Sequence, residues 1–274
     1  MAQSNVQTEW HTLEKSGQQP ELKTYIAKPG GQGPWPALIV IHEAFGLDEH
    51  IQDVTRRFAG EGYLAVAPDL FWLEPAGRTI TPDDIKELFG VRFKLPPDKM
   101  RDPDALIAEI DKLPTAKADR LREVMRWSSE RDGTLYVPAL RRLVDWARGR
   151  SDSSNKVGVT GFCMGGGLTL ALSFDGADID AAAPFYGQNP PLEQASQVKS
   201  PLLLMYGRKD PFIMPGVPAL IAAIVEAELD FAMHVYEEAG HAFLNDARPE
   251  MYSEAAARNA WPLTLAFFER HLGG

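Results

Sequence analysis

The feature that most constrains the fold of this 274-residue sequence is a glycine-rich segment at residues 161–165, which reads Gly-Phe-Cys-Met-Gly. The apolar, β-branched run at 156–160 predicts a buried strand just before it, and the pattern at 164–172 predicts an apolar helix just after it. A residue held on such a sharp strand-to-helix turn needs glycine two positions to either side, because larger side chains there collide with the neighbouring strand and helix. The segment therefore predicts an α/β architecture with Cys163 raised above the carboxyl edge of the sheet.

Strand and helix patterns alternate along the rest of the chain. Further strands are predicted at 22–27, 37–42, 63–67, 179–184, 201–206 and 231–236, and further helices at 49–60, 135–147, 217–227 and 254–271. Most of the strands are continuous apolar runs, which are typical of strands buried on both faces of a parallel sheet. We therefore expect a single α/β domain over 1–274, with a mostly parallel central sheet flanked by helices.

The stretch at 71–132, called the 71–132 segment below, interrupts this alternation. It is charged and rich in proline, and it contains short helix patterns at 104–112 and 118–128. We expect a helical, cap-like insertion over the carboxyl edge of the sheet, and the alternative is a solvated excursion without a role in binding. Its aromatic side chains are expected to line an apolar pocket or to form its own small core. They are Trp72, Phe89, Phe93 and Trp127.

Two further residues follow predicted strands in an order that suits the cysteine. Asp210 comes just after the strand at 201–206, and His241 lies in a loop after the strand at 231–236. Nucleophile, acid and histidine in this chain order are typical of the α/β-hydrolase arrangement, in which all three meet at the carboxyl edge. The sequence predicts that Cys163 attacks a carbonyl carbon and forms an acyl-enzyme, that His241 transfers the proton, and that Asp210 orients the imidazole.

Each of the three residues also has a plainer interpretation. Cys163 could be a buried structural thiol in a tight turn, Asp210 an ordinary turn aspartate, and His241 a loop histidine bonded to the backbone. The combined order and spacing favour the catalytic interpretation over three separate coincidences.

Two backbone N–H groups are candidates for an oxyanion hole. Met164 stands at the start of the helix after the turn, and Ala44 lies in the loop after the strand at 37–42. Glu43 precedes Ala44, and a carboxylate beside a nucleophilic thiol should keep that thiol protonated by charge repulsion. We expect a resting thiol that is activated when substrate displaces this carboxylate, and the alternative is a surface glutamate.

Composition excludes several classes of function. The 38 acidic and 28 basic residues give a formal net charge of -10, which argues against nucleic-acid and anionic-membrane partners. The single cysteine rules out an intrachain disulfide and fits a reducing compartment, so we expect a cytoplasmic protein. Residues 1–19 are polar and carry no apolar core of a signal peptide. No histidine, cysteine and carboxylate cluster has the spacing of a metal site.

Five segments together resemble the dienelactone hydrolase (carboxymethylenebutenolidase) family of α/β-hydrolases. They are Ile-His-Glu-Ala-Phe-Gly-Leu at 41–47, Ala-Val-Ala-Pro-Asp-Leu-Phe at 65–71, Gly-Phe-Cys-Met-Gly-Gly at 161–166, Tyr-Gly-Arg-Lys-Asp at 206–210 and Gly-His-Ala-Phe at 240–243. The resemblance covers nearly the whole chain apart from the N-terminal tail and the 71–132 segment. A cysteine in the turn combined with an acidic residue in the oxyanion loop is specific, since most α/β-hydrolases use serine.

The resemblance implies a hydrolase that cleaves a small-molecule ester or lactone through a Cys-His-Asp triad, with Glu43 helping to generate the thiolate. It implies no cofactor, and both a monomer and a homodimer remain open. The residues expected to contact substrate are Phe45, Trp72, Phe243 and Asn245.

The sequence departs from the family at two positions. Family members that act on dienelactone carry arginines that bind the substrate carboxylate, whereas this chain has Trp72 and Asn245 at those places. Arg78, Arg92 or Arg101 would have to replace them, and otherwise the substrate is less anionic. A thioesterase or acyl-transfer enzyme on the same triad and a non-catalytic cysteine redox sensor are the alternative functions.

Overall fold

The computed structural model describes residues 5–100 and 102–273 and contains, within them, one eight-stranded sheet. The strands are β1 Val6–Leu13, β2 Leu22–Pro29, β3 Trp35–Ile41, β4 Leu64–Pro68, β5 Ser153–Phe162, β6 Ala181–Phe185, β7 Leu202–Gly207 and β8 Phe231–Tyr236. Their order across the sheet is β1-β2-β4-β3-β5-β6-β7-β8. Only β1 with β2 and β2 with β4 pair antiparallel in this sheet, so the predicted, mostly parallel sheet is confirmed.

Helices cover both faces of the sheet. The α-helices of the described residues are α1 Glu49–Gly60, α2 Pro82–Arg92, α3 Pro103–Ile110, α4 Thr115–Glu130, α5 Tyr136–Arg148, α6 Met164–Phe174, α7 Val217–Glu226 and α8 Glu254–Leu272. α1 and α8 pack on one face through side chains such as Phe58 and Phe268. α5, α6 and α7 pack on the other through Leu143, Leu170 and Leu220. The sheet is therefore buried on both faces, as its continuous apolar strands predicted.

Two elements were not predicted from the sequence. β1 has a mostly exposed, polar sequence and forms the antiparallel edge of the sheet, so it lacks the apolar run that marked the other strands. α2 begins with a capping box in which Thr81 accepts from the backbone N–H of Asp84 while the Asp84 carboxylate accepts from the N–H of Thr81. Pro82 occupies the first turn of this helix, where proline is tolerated.

The 71–132 segment packs α2, α3 and α4 around an apolar cluster of its own. Leu88, Leu121 and Trp127 belong to this cluster, and so does Phe45 from the loop after β3. Met164, the first residue of α6, packs against it. The segment is thus attached to the loops at the carboxyl edge of the sheet. Among the described residues, no helix has both the length and the apolarity that crossing a membrane requires.

Candidate active site

The turn between β5 and α6 holds Cys163 in a strained conformation. Its φ of 54° and ψ of -111° lie in a region that residues with a side chain rarely occupy. The backbone fixes this geometry, since the N–H of Cys163 donates to the carbonyl of Phe185 over 3.1 Å. The side chain of Cys163 is half-buried, so the thiol faces the carboxyl edge of the sheet with partial access from outside.

The two glycines that flank the turn are required by close contacts. A Cβ atom on Gly161 would lie 2.2 Å from the carbonyl oxygen of Gly165, and one on Gly165 would lie 2.2 Å from the carbonyl oxygen of Ile41. Contacts of this length with backbone atoms cannot be relieved by a change of rotamer. Both positions of the turn therefore accept only glycine.

His241 and Asp210 form a direct hydrogen bond. The Nδ1 atom of His241 lies 2.6 Å from Oδ2 of Asp210, whose side chain is 1% exposed. The other oxygen, Oδ1, accepts from the backbone N–H groups of Phe212 and Ile213 over 2.9 and 3.1 Å. These contacts fix the carboxylate, and the carboxylate in turn orients the imidazole ring.

The Cys163 thiol lies close enough to the imidazole of His241 to act on the pKa of that ring. Because Asp210 occupies Nδ1 of the His241 ring, Nε2 is the ring nitrogen that remains for the thiol. Burial alone would lower the pKa of His241, but Asp210 and Cys163 outweigh burial and raise that pKa to about 10. The three side chains named from the sequence are thus brought together, with the imidazole between a thiol and a carboxylate.

Glu43 is buried beside this group, with 3% of its surface exposed. Its Oε2 accepts a 2.7 Å hydrogen bond from the amide of Asn245, and the hydroxyl of Tyr186 lies 3.5 Å from its Oε1. Burial raises the pKa of Glu43 to about 6, although the hydrogen bond from Asn245 and the charge of His241 both act to lower it. This burial excludes a solvated surface glutamate at position 43.

His42 holds the loop that carries Glu43. Its Nδ1 donates to the carbonyl of Glu43 over 2.7 Å, and its Nε2 accepts from the N–H of Leu70 over 3.2 Å. Burial lowers the pKa of His42, which keeps the ring neutral as this donor–acceptor pattern requires. The sequence reasoning gave His42 no role, although this residue lies in the segment at 41–47 that carries the family resemblance.

The hydrogen bond from His42 also sets the direction of the next N–H group. In a planar trans peptide the N–H of Ala44 points opposite to the carbonyl of Glu43, which His42 holds. No hydrogen-bond partner for the N–H of Ala44 occurs within residues 5–100 and 102–273. The N–H of Met164, at the first position of α6, has no partner inside its helix. Neither of the two predicted oxyanion donors therefore has a hydrogen-bond partner within its own loop or helix.

Tyr186 is a second residue of this site that the sequence reasoning missed. It follows β6 directly, has a φ of 39°, and is fully buried. Its ring lies 5.2 Å from that of His241, and burial together with the charges of Glu43 and Cys163 raises the pKa of its hydroxyl well above the ordinary value. The signal that would have found it is its position at the carboxyl end of a parallel strand, where the other site residues also lie.

Two residues expected to contact substrate have other roles. Phe243 is fully buried and packs against Tyr186 at 5.3 Å between ring centroids, so it offers no surface to a ligand. Trp72 points toward β2, where its indole N–H donates to Glu21 over 3.3 Å and Lys23 lies 4.7 Å above its ring. The core of the protein thus holds Phe243, and a hydrogen bond to Glu21 holds Trp72.

A cavity of about 310 Å³ adjoins the site, called the aromatic cavity below. Phe45 and Asn245 border it from the catalytic loops, and Phe89 and Phe93 border it from the 71–132 segment. Its remaining lining residues are Asp48, Lys86, Gly90, Ala247, Arg248 and Glu250. Of the aromatic residues named from the sequence, Phe89 and Phe93 thus face a cavity, while Trp127 is buried in the core of the segment.

Arg78 and Arg92, two of the arginines considered as replacements, do not line this cavity. Arg78 pairs with Glu21 at 2.8 Å, and Arg92 lies 5.6 Å from the ring of Phe89. Arg101 lies outside the described residues. The arginine that does line the cavity, Arg248, follows the histidine loop and was not considered from the sequence.

The arrangement places a thiol, an imidazole and two backbone N–H groups at one edge of the sheet. These are the groups that an acyl-transfer reaction uses. In the part of the chain that the structure describes, no group of three or more His, Cys, Asp and Glu side chains could hold a metal ion.

Comparison with known sequences agrees with this geometry. The sequence model of the dienelactone hydrolase family matches residues 22–272. A protein from Saccharolobus solfataricus named "Putative carboxymethylenebutenolidase" is 32% identical over 254 residues, which cover 91% of this chain and 94% of that protein. A protein from Aquifex pyrophilus named "Protein usf" is 34% identical over 267 residues, covering 95% of this chain and 97% of its own.

Solved structures share the fold. The crystal structure of a dienelactone hydrolase-like promiscuous phosphotriesterase from metagenomic libraries superposes with a TM-score of 0.71 at 18% identity. The superposition covers 98% of this chain and 99% of that one. At this level of identity the two proteins share the α/β-hydrolase fold, and nothing about activity follows from the likeness.

Proposed function

Because this chain belongs to the dienelactone hydrolase family and is an ester or lactone hydrolase, we propose that it acts through Cys163, His241 and Asp210. The observation that supports this proposal is the position of His241, whose Nδ1 lies 2.6 Å from Asp210 and whose pKa is raised by the neighbouring Cys163 thiol as well as by Asp210. Three residues with unrelated structural roles would not be expected to lie around one imidazole ring.

In the first half of the reaction the Cys163 thiolate attacks the carbonyl carbon, and the N–H groups of Ala44 and Met164 stabilise the oxyanion. Collapse of this intermediate breaks the carbon–oxygen bond, and the leaving alkoxide takes a proton from the His241 imidazolium. The product of this half is a thioester between the acyl group and Cys163.

In the second half water attacks the thioester while His241 accepts its proton, and the thiolate leaves as the acid is released. Asp210 keeps the imidazole oriented through both halves. Glu43 is buried near His241, and we assign it the role of accepting the thiol proton when substrate displaces it from Asn245 and of returning that proton to the thiolate once the acid has left. His241, with a pKa of about 10, starts the cycle as the imidazolium and regains that state when it accepts the proton of water. The 71–132 segment caps the site, no cofactor is required, and the cytoplasm keeps the single cysteine reduced.

The test is hydrolysis of a short p-nitrophenyl ester by wild type, Cys163→Ala and Cys163→Ser, with circular dichroism to show that each variant is folded. We expect Cys163→Ala to lose turnover by at least about a thousandfold. Quenching wild type during turnover and measuring the intact mass should give an added acyl group that is absent from Cys163→Ala. Turnover retained by folded Cys163→Ala would contradict the proposal.

A further inference from the structure

The triad chemistry makes no use of the aromatic cavity, although the two are neighbours in the fold. Phe45, on the cavity wall, is the residue after the proposed oxyanion donor Ala44. Asn245, on the same wall, holds Glu43 at 2.7 Å. A group bound in the cavity is therefore next to the loops that carry out the reaction. Its volume of about 310 Å³ suits a single six-membered ring with its substituents.

The apolar part of the cavity is aromatic. The rings of Phe45 and Phe89 are 5.2 Å apart and edge-on, and those of Phe89 and Phe93 are 5.8 Å apart. Phe93 keeps 48% of its surface exposed at the rim, so its ring is accessible to a ligand that enters the cavity. Aromatic walls at these distances favour a flat ring over a saturated ring of equal size.

The charges around the cavity already have partners. Lys86 pairs with Asp48 at 2.7 Å, and the Nε atom of Arg248 lies 3.1 Å from Glu250. The guanidinium of Arg248 also lies 4.8 Å from the ring centroid of Phe45. Among the lining residues, the carboxylates of Asp48 and Glu250 are thus balanced by the cations of Lys86 and Arg248. An added carboxylate would therefore find both cations already paired and would be desolvated without a partner of its own.

We propose that the aromatic cavity binds an uncharged aromatic ring of the ester substrate, and that Phe89 and Phe93 of the 71–132 segment determine this specificity. This inference rests on the proposed function, because it names the substrate class of the same site.

The experiment compares esters that are matched in chemical reactivity. Methyl phenylacetate, methyl cyclohexylacetate and methyl (4-carboxyphenyl)acetate share one leaving group and differ only in the ring. Benzyl acetate and cyclohexylmethyl acetate place the same two neutral rings on the alcohol side. We expect kcat/KM to favour the aromatic over the cyclohexyl ester by roughly three- to tenfold in one of these two pairs. The carboxylated ester should react at least about tenfold more slowly than methyl phenylacetate.

Two variants test whether the cavity is the cause. Phe93→Ala and Phe89→Ala should each bring the aromatic-to-cyclohexyl ratio close to one, mainly through KM. Trp10→Ala is the matched control, since Trp10 is 50% exposed on β1 and does not line the cavity, and it should leave the ratio unchanged. Equal kcat/KM for aromatic and cyclohexyl esters, a ratio that neither variant alters, or faster turnover of the carboxylated ester would overturn the inference.

The two proposals fail in different ways. Ester turnover that vanishes in Cys163→Ala but shows no preference for aromatic rings would overturn the substrate class and leave the triad intact. Turnover that persists in folded Cys163→Ala would overturn the triad itself.

Discussion

The amide nitrogen of Asn245 donates a 2.7 Å hydrogen bond to Oε2 of Glu43, and both side chains are almost fully buried. A neutral donor offsets only part of the free energy that burial of a carboxylate costs. The pKa of Glu43 therefore stays raised, at about 6, despite this hydrogen bond. The site thus holds a carboxyl group that changes its charge just below neutral pH.

Glu43→Gln is expected to stabilise the protein at pH 8. The folded-state pKa of Glu43, about 6, lies above the ordinary value of 4.5. The stability that the neutral carboxyl contributes is therefore complete below pH 4.5 and is lost as the pH rises through 6. The difference of about 1.5 pKa units corresponds to roughly 2 kcal/mol at pH 8. Glutamine never ionises, so the variant should gain up to about that free energy of unfolding at pH 8.

Urea unfolding of both proteins at pH 8 and at pH 5 measures this difference. The gain should shrink toward zero at pH 5, and ester turnover should fall at both pH values. Glu226→Gln, an exposed glutamate on α7, serves as the control and should change little. Equal stability of wild type and Glu43→Gln at pH 8 would show that the buried carboxylate carries no net cost.

The His241 imidazole is expected to become less basic in Cys163→Ala. Burial lowers the pKa of His241, while Asp210 and Cys163 together raise it to about 10, and the variant removes the contribution of Cys163. The pKa of His241 in the variant should therefore fall below about 10, with Asp210 still holding it up. Titration of the imidazole nitrogens by NMR in wild type and Cys163→Ala measures the shift, and an unchanged titration curve would mean that the thiol is not coupled to the ring.

The structure brings together the three residues of the proposed triad, as the sequence predicted, because each of them follows a parallel strand. Chain order alone placed Cys163, Asp210 and His241 at one edge, since the carboxyl ends of parallel strands meet there. Tyr186 also follows such a strand, yet a tyrosine without a motif carries no chemical signal. Side chains that work through burial and hydrogen bonding, such as those of Tyr186 and His42, emerge only when the loops are packed together.

The sequence also could not predict the direction in which the side chains of the 71–132 segment point. Trp72 and Phe89 both looked like pocket residues, but Trp72 turns toward Glu21 on the sheet edge, whereas Phe89 faces Phe45. A short 3-10 helix carries Trp72, and its turn decides which neighbouring side chain faces the pocket. The charged, proline-rich sequence around them gave no period from which that orientation could be inferred.

His42→Leu is expected to reduce kcat by about a hundredfold with little change in KM, because the Glu43–Ala44 peptide loses the hydrogen bond that holds it. The change also leaves the N–H of Leu70 without its partner, which should cost roughly 1–3 kcal/mol of stability. His42→Gln keeps one donor and one acceptor and should recover most of kcat. Steady-state kinetics for both variants, with His271→Leu at the end of α8 as control, separate this positioning role from general destabilisation. Equal kcat in His42→Leu and His42→Gln would contradict it.

Gly165→Ala is expected to prevent the turn from forming as it does in wild type. The added methyl group would lie 2.2 Å from the carbonyl oxygen of Ile41 and 2.7 Å from that of His42, and both are backbone atoms of β3 and its loop. Relief would require α6 to move away from the sheet, at a cost of at least about 3 kcal/mol in the free energy of unfolding. Gly90→Ala, inside α2 with nothing within 4 Å of its added methyl group, is the matched control and should instead gain about 0.5–1 kcal/mol. Thermal and urea unfolding of the two variants should therefore shift in opposite directions, and a Gly165→Ala protein as stable as wild type would show that the contact between α6 and β3 is not close.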